Sequence, residues 1–396
     1  MNHKQLQEMK RIYLDNGATT QVDPLVASEI QKYFLDTYGN ASSNHIFGEQ
    51  ACFGLERARI TIAKALNADT DETYFTSGGT ESDNLALRGV WLANKEKGNH
   101  IITTNIEHPA ILRTCENLEK EGVQVTYLKV DSNGLINLDE LKSAITPKTI
   151  LISVMAANNE IGTIQNIKEI GDCCRSRNVL FHTDAVQAFT KVFLDTKSQN
   201  IDLISMSGHK IHGPKGIGAI FIKKGTSISP IIFGGSQEKK IRPGTENIPG
   251  IVGFAKAVEI AQREGNAGIE KTAKLRDKLI SGVLSIKNTR LNGHPTQRLC
   301  INVNISFEEI DGESLLAELN KNGIACSTGS ACSAKSSKPS HVLSAIGLDH
   351  KKYPASIRFT LSRFTSEDEI DYAVKVVNEI VPKLRENFLK GIKQGC

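Results

Sequence analysis

The sequence predicts an α/β protein: a mostly parallel seven-stranded sheet with helices on both faces, joined to a smaller α+β unit. Three observations carry this. From about Tyr74, short β-rich runs alternate with helical patterns: Thr73 to Thr76, His100 to Thr104, Gln124 to Lys129, Thr149 to Val154, Val179 to His182, Leu203 to Met206 and Gly218 to Ile222. Such alternation builds a parallel sheet. Several runs are apolar throughout, as strands covered on both faces are. After the long helix-favouring stretch from Val252 to about Ile286 the character changes.

Each element has its own reason. The last two runs of the first set are joined by a glycine-rich loop, so they are expected to form a hairpin with one antiparallel strand. Apolar residues at spacings of three and four make Val252 to Ile286 a helix. Leu299 to Phe307 alternates as a strand, Glu313 to Asn322 reads as a helix, and Ser356 to Leu361 as a further strand. Ser366 to Phe388 closes the chain as a helix: Ser366 caps it, Glu369 stands in capping-box register, and Ile370, Ala373, Val376, Val377, Ile380, Val381 and Leu384 share one stripe. The expected division is 16–262 for the large unit, with 1–15 and 263–396 forming the small one.

Composition narrows the function. The 396 residues allow a large buried core, and 48 basic against 44 acidic residues leave a net charge of +4. That is too little to argue for nucleic acid or an anionic membrane. The basic stretch Glu238-Lys239-Lys240-Ile241-Arg242 reads as a solvated loop. No apolar stretch approaches the ~20 residues that span a bilayer, and the start is polar, so a cytoplasmic protein is expected. The eight cysteines form no Cys-x-x-Cys pair, which disfavours a zinc site or a disulfide scaffold and makes most of them reduced, buried fillers.

Four segments carry chemistry. Ser77-Gly78-Gly79-Thr80-Glu81-Ser82-Asp83-Asn84 follows a strand and opens a helix; glycines there let the backbone approach a phosphate, and the first helical N–H groups point at it. The same residues also serve as a plain helix N-cap. Asp184 ends a buried strand, where open α/β sheets bind ligands, and a carboxylate there can keep a pyridine nitrogen protonated or cap a helix. Lys210, in Ser207-Gly208-His209-Lys210, lies at another strand's end, where partial desolvation favours the neutral amine that forms a Schiff base. Finally, Ser-Thr-Gly-Ser-Ala-Cys-Ser-Ala around Cys332 looks like a displayed thiol on a mobile loop, or else a Gly/Ser turn holding an unremarkable one.

These motifs, together with Asp15-Asn16-Gly17-Ala18-Thr19-Thr20, Glu107-His108, Asn158-Asn159-Glu160-Ile161-Gly162, Thr183-Asp184-Ala185-Val186-Gln187, Arg242-Pro243-Gly244-Thr245-Glu246-Asn247 and Gly329-Ser330-Ala331-Cys332, occur in one order along the chain. In that order they resemble the cysteine desulfurases of the class-V pyridoxal-phosphate aminotransferase family, in the group that serves iron–sulfur cluster assembly. The resemblance runs from about residue 12 to about residue 375.

The resemblance implies a fold-type I pyridoxal-phosphate-dependent transferase. It implies that Lys210 holds pyridoxal 5′-phosphate, that His108 stacks on its ring, that Asp184 pairs with the ring nitrogen and that Gln187 contacts the phenolic oxygen. Gly79, Thr80, Ser207 and His209 would bind the phosphate, and Thr245 would reach the phosphate of the partner subunit in a homodimer. Asn159 would contact cofactor and substrate, and Arg358 would take the substrate carboxylate. Plainer roles stand beside these: His108 before Pro109 also starts a helix, Asn159 also forms a turn, and Arg358 also suits a structural ion pair.

The implied reaction converts L-cysteine to L-alanine and a persulfide on Cys332. Lys210 moves the Cα proton, and His108 is a candidate proton acceptor for the Cys332 thiol. The sulfur would pass to an iron–sulfur scaffold protein or another acceptor. No resident metal is expected, although Cys332 could transiently ligate a nascent cluster shared with a scaffold. Cys326, just upstream, allows a disulfide with Cys332 or a share in that ligation. The rival readings are a selenocysteine lyase or related pyridoxal-phosphate enzyme, and a sulfur-relay subunit dependent on a partner.

Overall fold

The computed structural model describes residues 11–328 and 339–394, with side chains through 388. Cys332 and Cys396 therefore lie outside the described residues. The strands are β1 (Ile12–Tyr13), β2 (Thr73–Thr76), β3 (His100–Thr104), β4 (Gln124–Leu128), β5 (Thr149–Ser153), β6 (Leu180–Asp184), β7 (Leu203–Ser207), β8 (Gly218–Ile222), β9 (Thr289–Leu291), β10 (Asn302–Phe307), β11 (Ile324–Ala325) and β12 (Ala355–Thr360). The helices are α1 (Pro24–Leu35), α2 (Ile46–Ala65), α3 (Gly79–Asn94), α4 (Pro109–Lys120), α5 (Leu138–Ala144), α6 (Ile167–Ser176), α7 (Ile248–Leu284), α8 (Gly312–Lys321), α9 (His341–Ala345) and α10 (Glu367–Gln394).

Seven strands form one sheet in the order β2-β8-β7-β6-β5-β3-β4. It is parallel from β4 to β7, while β8 runs antiparallel to both its neighbours, β7 and β2. The expected hairpin is thus present, with β8 as its one antiparallel strand. Apolar side chains cover both faces: Val26, Ile62, Phe181, Phe221 and Phe254 on one side, Leu85, Trp91, Ile111 and Leu118 on the other. Full burial of each such side chain contributes about 1.5–3 kcal/mol.

A second core gathers around the three-stranded sheet β12-β10-β9, with Val303, Ile305, Phe307, Ile357 and Phe359 facing α8 and α10. Helix α7 serves both cores, Phe254 and Val258 in the first and Leu275, Leu279 and Val283 in the second. Between them Gly265 takes φ 52°, ψ −147°. That conformation interrupts the continuous helix the sequence predicts and lets its two halves face different cores. The expected capping box is present: the Ser366 N–H donates to Glu369 Oε2 at 2.8 Å and the Glu369 N–H to Ser366 Oγ at 3.3 Å.

One reading needs correction. The stretch from Glu238 is not simply solvated: Glu238 is buried and both of its oxygens accept from the Arg59 guanidinium at 2.8 Å. Among the described residues no helix is long and apolar enough to cross a membrane, and no group of His, Cys, Asp and Glu is placed to hold a metal ion. Cys52, Cys115, Cys173, Cys174, Cys300 and Cys326 are free thiols, all buried except Cys52 and Cys326, which are partly so.

Candidate active site

At the carboxyl ends of β5, β6 and β7 a cleft of about 230 Å³ opens, the usual location for a ligand site in an open α/β sheet. Gly79, Thr80, His108, Asn159, Asp184, Gln187, Ser207, His209, Lys210 and Arg358 all line it. Of the residues singled out in the sequence, Thr245 is exposed and does not line this chain's cleft. Cys332 lies outside the described residues.

One corner is built for an anion. The chain leaves β2 through Ser77 and Gly78 and enters α3 with Gly78 at the N-cap, φ 153° and ψ −178°, and no side chain caps the helix. Its first N–H groups are left to a ligand, beside Thr80 and Ser207. The nearby carboxylate of Glu81 is turned away, accepting from the Ser77 N–H at 2.8 Å and from Arg242 Nε at 2.8 Å. Burial alone would raise that carboxyl, but Arg242 and Ser77 outweigh it and hold it below the usual range. His209, mainly through burial and then through Lys210 and Lys215, falls to about 4 and is neutral near pH 7. Its Nδ1 lies 3.1 Å from Thr19 Oγ1.

The same cleft holds the amine and the carboxylate. Lys210 Nζ donates to the carbonyls of Gly17 (2.6 Å) and Ala18 (2.8 Å), and Gln187 Nε2 donates to the same Gly17 carbonyl at 2.9 Å. Asp184 ends β6 and accepts from the Val186 N–H at 2.8 Å. Burial raises its carboxyl, while His108, that N–H and Lys210 pull it back.

Behind Asp184 lies a polar chain: Ser153 Oγ is 2.9 Å from His182 Nδ1, and His182 Nε2 is 3.0 Å from Ser205 Oγ. Asp83 Oδ1 stands 3.8 Å from His182 Nε2 and has no hydrogen-bond partner. Burial lowers His182 to about 3 and, with Asp184, drives the Asp83 carboxyl up, so the neutral His182 ring offers that carboxyl no charge partner.

Over the cleft, His108 caps α4: its Nδ1 accepts from the Ala110 N–H at 3.1 Å, which leaves the proton of the neutral ring on Nε2. Burial lowers its pKa, with Asp184 opposing and Lys210 and His341 adding to the fall. The helix-start and cleft-lining readings of His108 therefore hold together. The same is true of Arg358, 1% exposed in β12: Nη2 meets Asp15 Oδ1 at 3.0 Å, Nη1 donates to the Asn159 carbonyl at 3.2 Å, and Nε has no partner. Beside His108, Glu107 is fully buried and burial raises its carboxyl to about 8; its Oε1 accepts from Thr104 Oγ1 at 2.8 Å and from the Met155 N–H at 2.9 Å.

Sequence reasoning gave no role to Asp15, Gly17, Ala18, Asp83, Glu107 or His182, although all but His182 stand inside motifs quoted above. A carbonyl-binding role leaves no mark on residue type. His182, a polar residue following Leu180 and Phe181 in a strand covered on both faces, is a signal that was there to use.

A lysine amine, a buried carboxylate and an anion corner at the carboxyl ends of a sheet covered on both faces define the fold-type I pyridoxal-phosphate enzymes. The family model for aminotransferase class-V matches residues 12–373. The chain is 52% identical over 378 residues to cysteine desulfurase IscS of Methanosarcina thermophila, covering 96% of this chain and 94% of that one. Among solved structures, a NifS-like protein superposes with a TM-score of 0.89 at 39% identity, covering 95% of this chain and 100% of that one. SspA in complex with cysteine gives 0.80 at 36%, covering 90% and 100%. The chain belongs to the class-V aminotransferase family, in its cysteine desulfurase branch.

The residues present fit the cofactor. Uncapped helical amides, two hydroxyls and a neutral imidazole form a donor set for a phosphate, and a buried carboxyl group and a lysine line the same cleft.

Proposed function

We propose that the cleft removes sulfur from free L-cysteine, giving L-alanine and a persulfide on Cys332. The chain is a pyridoxal-phosphate-dependent cysteine desulfurase by family. When bound, pyridoxal phosphate supplies an electron sink for charge developing at the substrate's Cα. The observation that carries the reading is the convergence of Lys210, Asp184, His108 and Arg358 on one cleft.

In this reading Gly79, Thr80, Ser207 and His209 hold the phosphate, Gln187 the phenolic oxygen and Asp184 the ring nitrogen, with His108 over the ring. Arg358 binds the substrate carboxylate with Asn159 beside it; a planar guanidinium suits that task better than an ammonium. Lys210 Nζ, poised on the Gly17 and Ala18 carbonyls, takes the Cα proton. His108 has its Nδ1 engaged by the Ala110 N–H and its ring proton on Nε2, so taking the Cys332 thiol proton at Nε2 requires the other tautomer, with the proton on Nδ1 and the Ala110 contact released. A thiol of ordinary pKa is only a few per cent ionised near pH 7, which makes such an acceptor useful.

A homodimer belongs to the same reading, with Thr245 serving the partner's phosphate. Its support is the exposure of Thr245 and the apolar surface on and beside α1 and α2, where Phe34, Leu35, Tyr38 and Phe53 are each about two-thirds exposed. The two hydrophobic cores support two domains, 16–262 and 1–15 with 263–396. The free thiols fit a reducing, cytoplasmic setting. The persulfide sulfur goes to an acceptor protein, with an iron–sulfur scaffold as the first candidate.

The test is alanine and sulfide release from L-cysteine by the loaded protein, in parallel with L-selenocysteine and cysteine sulfinate. Cys332→Ser keeps the visible absorbance of the bound cofactor and loses sulfide release from cysteine. Full sulfide release by Cys332→Ser would refute the role of that thiol, and preference for selenocysteine would favour a lyase.

A further inference from the structure

We propose that Asp15 sets the strength of the substrate-carboxylate subsite, acting as a built-in counter-charge that keeps Arg358 from holding a carboxylate too tightly. The inference rests on reading Arg358 as the carboxylate anchor.

The geometry is specific. Arg358 is 1% exposed and permanently charged, so a counter-ion is required. Asp15 supplies it with one oxygen: Oδ1 meets Nη2 at 3.0 Å and also accepts from Ser327 Oγ at 2.9 Å. At the other end Nη1 donates to the Asn159 carbonyl at 3.2 Å. These contacts fix the guanidinium plane and leave Nε–H buried without a partner. The same side chain lines the cleft, where the rest of its donor face is left to an incoming group. A substrate carboxylate that takes it meets a cation already paired with a carboxylate, and like charges near one guanidinium weaken each other's hold.

Asp15 is also well placed to act on both ends of the substrate. It opens the turn whose Gly17 and Ala18 carbonyls hold Lys210, and its own carbonyl accepts the Ala18 N–H at 2.9 Å. The main-chain contacts do not depend on its charge. Asp15→Asn therefore keeps the turn and an oxygen toward Arg358 and Ser327 while removing the negative charge.

The probe is propionate, a carboxylate with no amine to react with the cofactor, titrated into the pyridoxal-phosphate-loaded protein by saturation-transfer NMR. Asp15→Asn is expected to bind it roughly tenfold tighter, a change worth about 1.4 kcal/mol. Ser327→Ala, which gives Asp15 wholly to Arg358, is expected to bind it a few-fold more weakly. The KM for cysteine follows the same two directions, and kcat does not rise in Asp15→Asn. Unchanged or weaker propionate binding in Asp15→Asn overturns the proposal, as does tighter binding in Ser327→Ala. Arg358→Gln separates the two layers: if it leaves propionate binding intact, the carboxylate anchor itself has been misassigned.

Discussion

Replacing Gly78 with alanine isolates the backbone geometry of the anion corner. The residue takes φ 153° and ψ −178°, a region essentially closed to L-residues. A Cβ there would meet no closer atom than Ser207 Oγ at 4.0 Å, so the cost is backbone strain and not overlap. Strain of this kind costs about 1–3 kcal/mol. Without cofactor the Ser77–Gly79 turn can relax and shed it; with the phosphate in place the helical amides must return to position. A value of about 2 kcal/mol then falls on binding, and at 1.4 kcal/mol per tenfold this is roughly 30-fold weaker affinity. Cofactor-free protein is titrated with pyridoxal phosphate and followed by visible absorbance, with a urea midpoint as the stability control. Wild-type affinity in Gly78→Ala would refute the reasoning.

Other outcomes follow from buried charge. Glu238→Gln leaves the Arg59 guanidinium without its two-oxygen partner and removes the charge that also accepts the Phe75 N–H; breaking such a pair costs about 3–5 kcal/mol, read as a lower urea midpoint. Glu107, raised to about 8, binds a proton more tightly when folded than when unfolded. Its stabilising contribution is therefore complete below about pH 4.5 and is lost as pH rises through 8. Wild type should lose stability relative to Glu107→Gln across that window, by a few kcal/mol; parallel denaturation curves would count against a buried neutral acid. His209, lowered to about 4, carries the opposite sign: its contribution is lost as pH falls from about 6.5 towards 4, and His209→Gln should flatten that limb of the urea-midpoint profile.

Much of this was legible in the residues. The seven runs that form the sheet were visible because strands covered on both faces must be apolar, and the final helix because its cap and stripe are local. Lys210, Asp184 and the Gly78–Thr80 turn announced themselves as strand-end chemistry. Strands β1, β9 and β11 were not foreseen, because two or three residues carry no period. The break at Gly265 was hidden in a helix-favouring stretch, since one glycine is tolerated in a helix until two cores demand a bend. Asp15, Gly17 and Ala18 meet Arg358 and Lys210 across some 190 to 340 positions of chain, and only folding brings carbonyls to an amine over that span. The Asp83–His182 contact is equally non-local, because burial, not residue type, lowers the His182 ring and raises the Asp83 carboxyl.

The central claim is that one particular amine carries the cofactor. Reducing the loaded protein with borohydride fixes the cofactor on whichever lysine holds it, and peptide mass mapping then reads the position. The account predicts the added mass on the peptide containing Lys210 and nowhere else, with Lys210→Ala showing none. Label on another lysine, such as the half-buried Lys191 lowered to about 8, or label retained in Lys210→Ala, would contradict it.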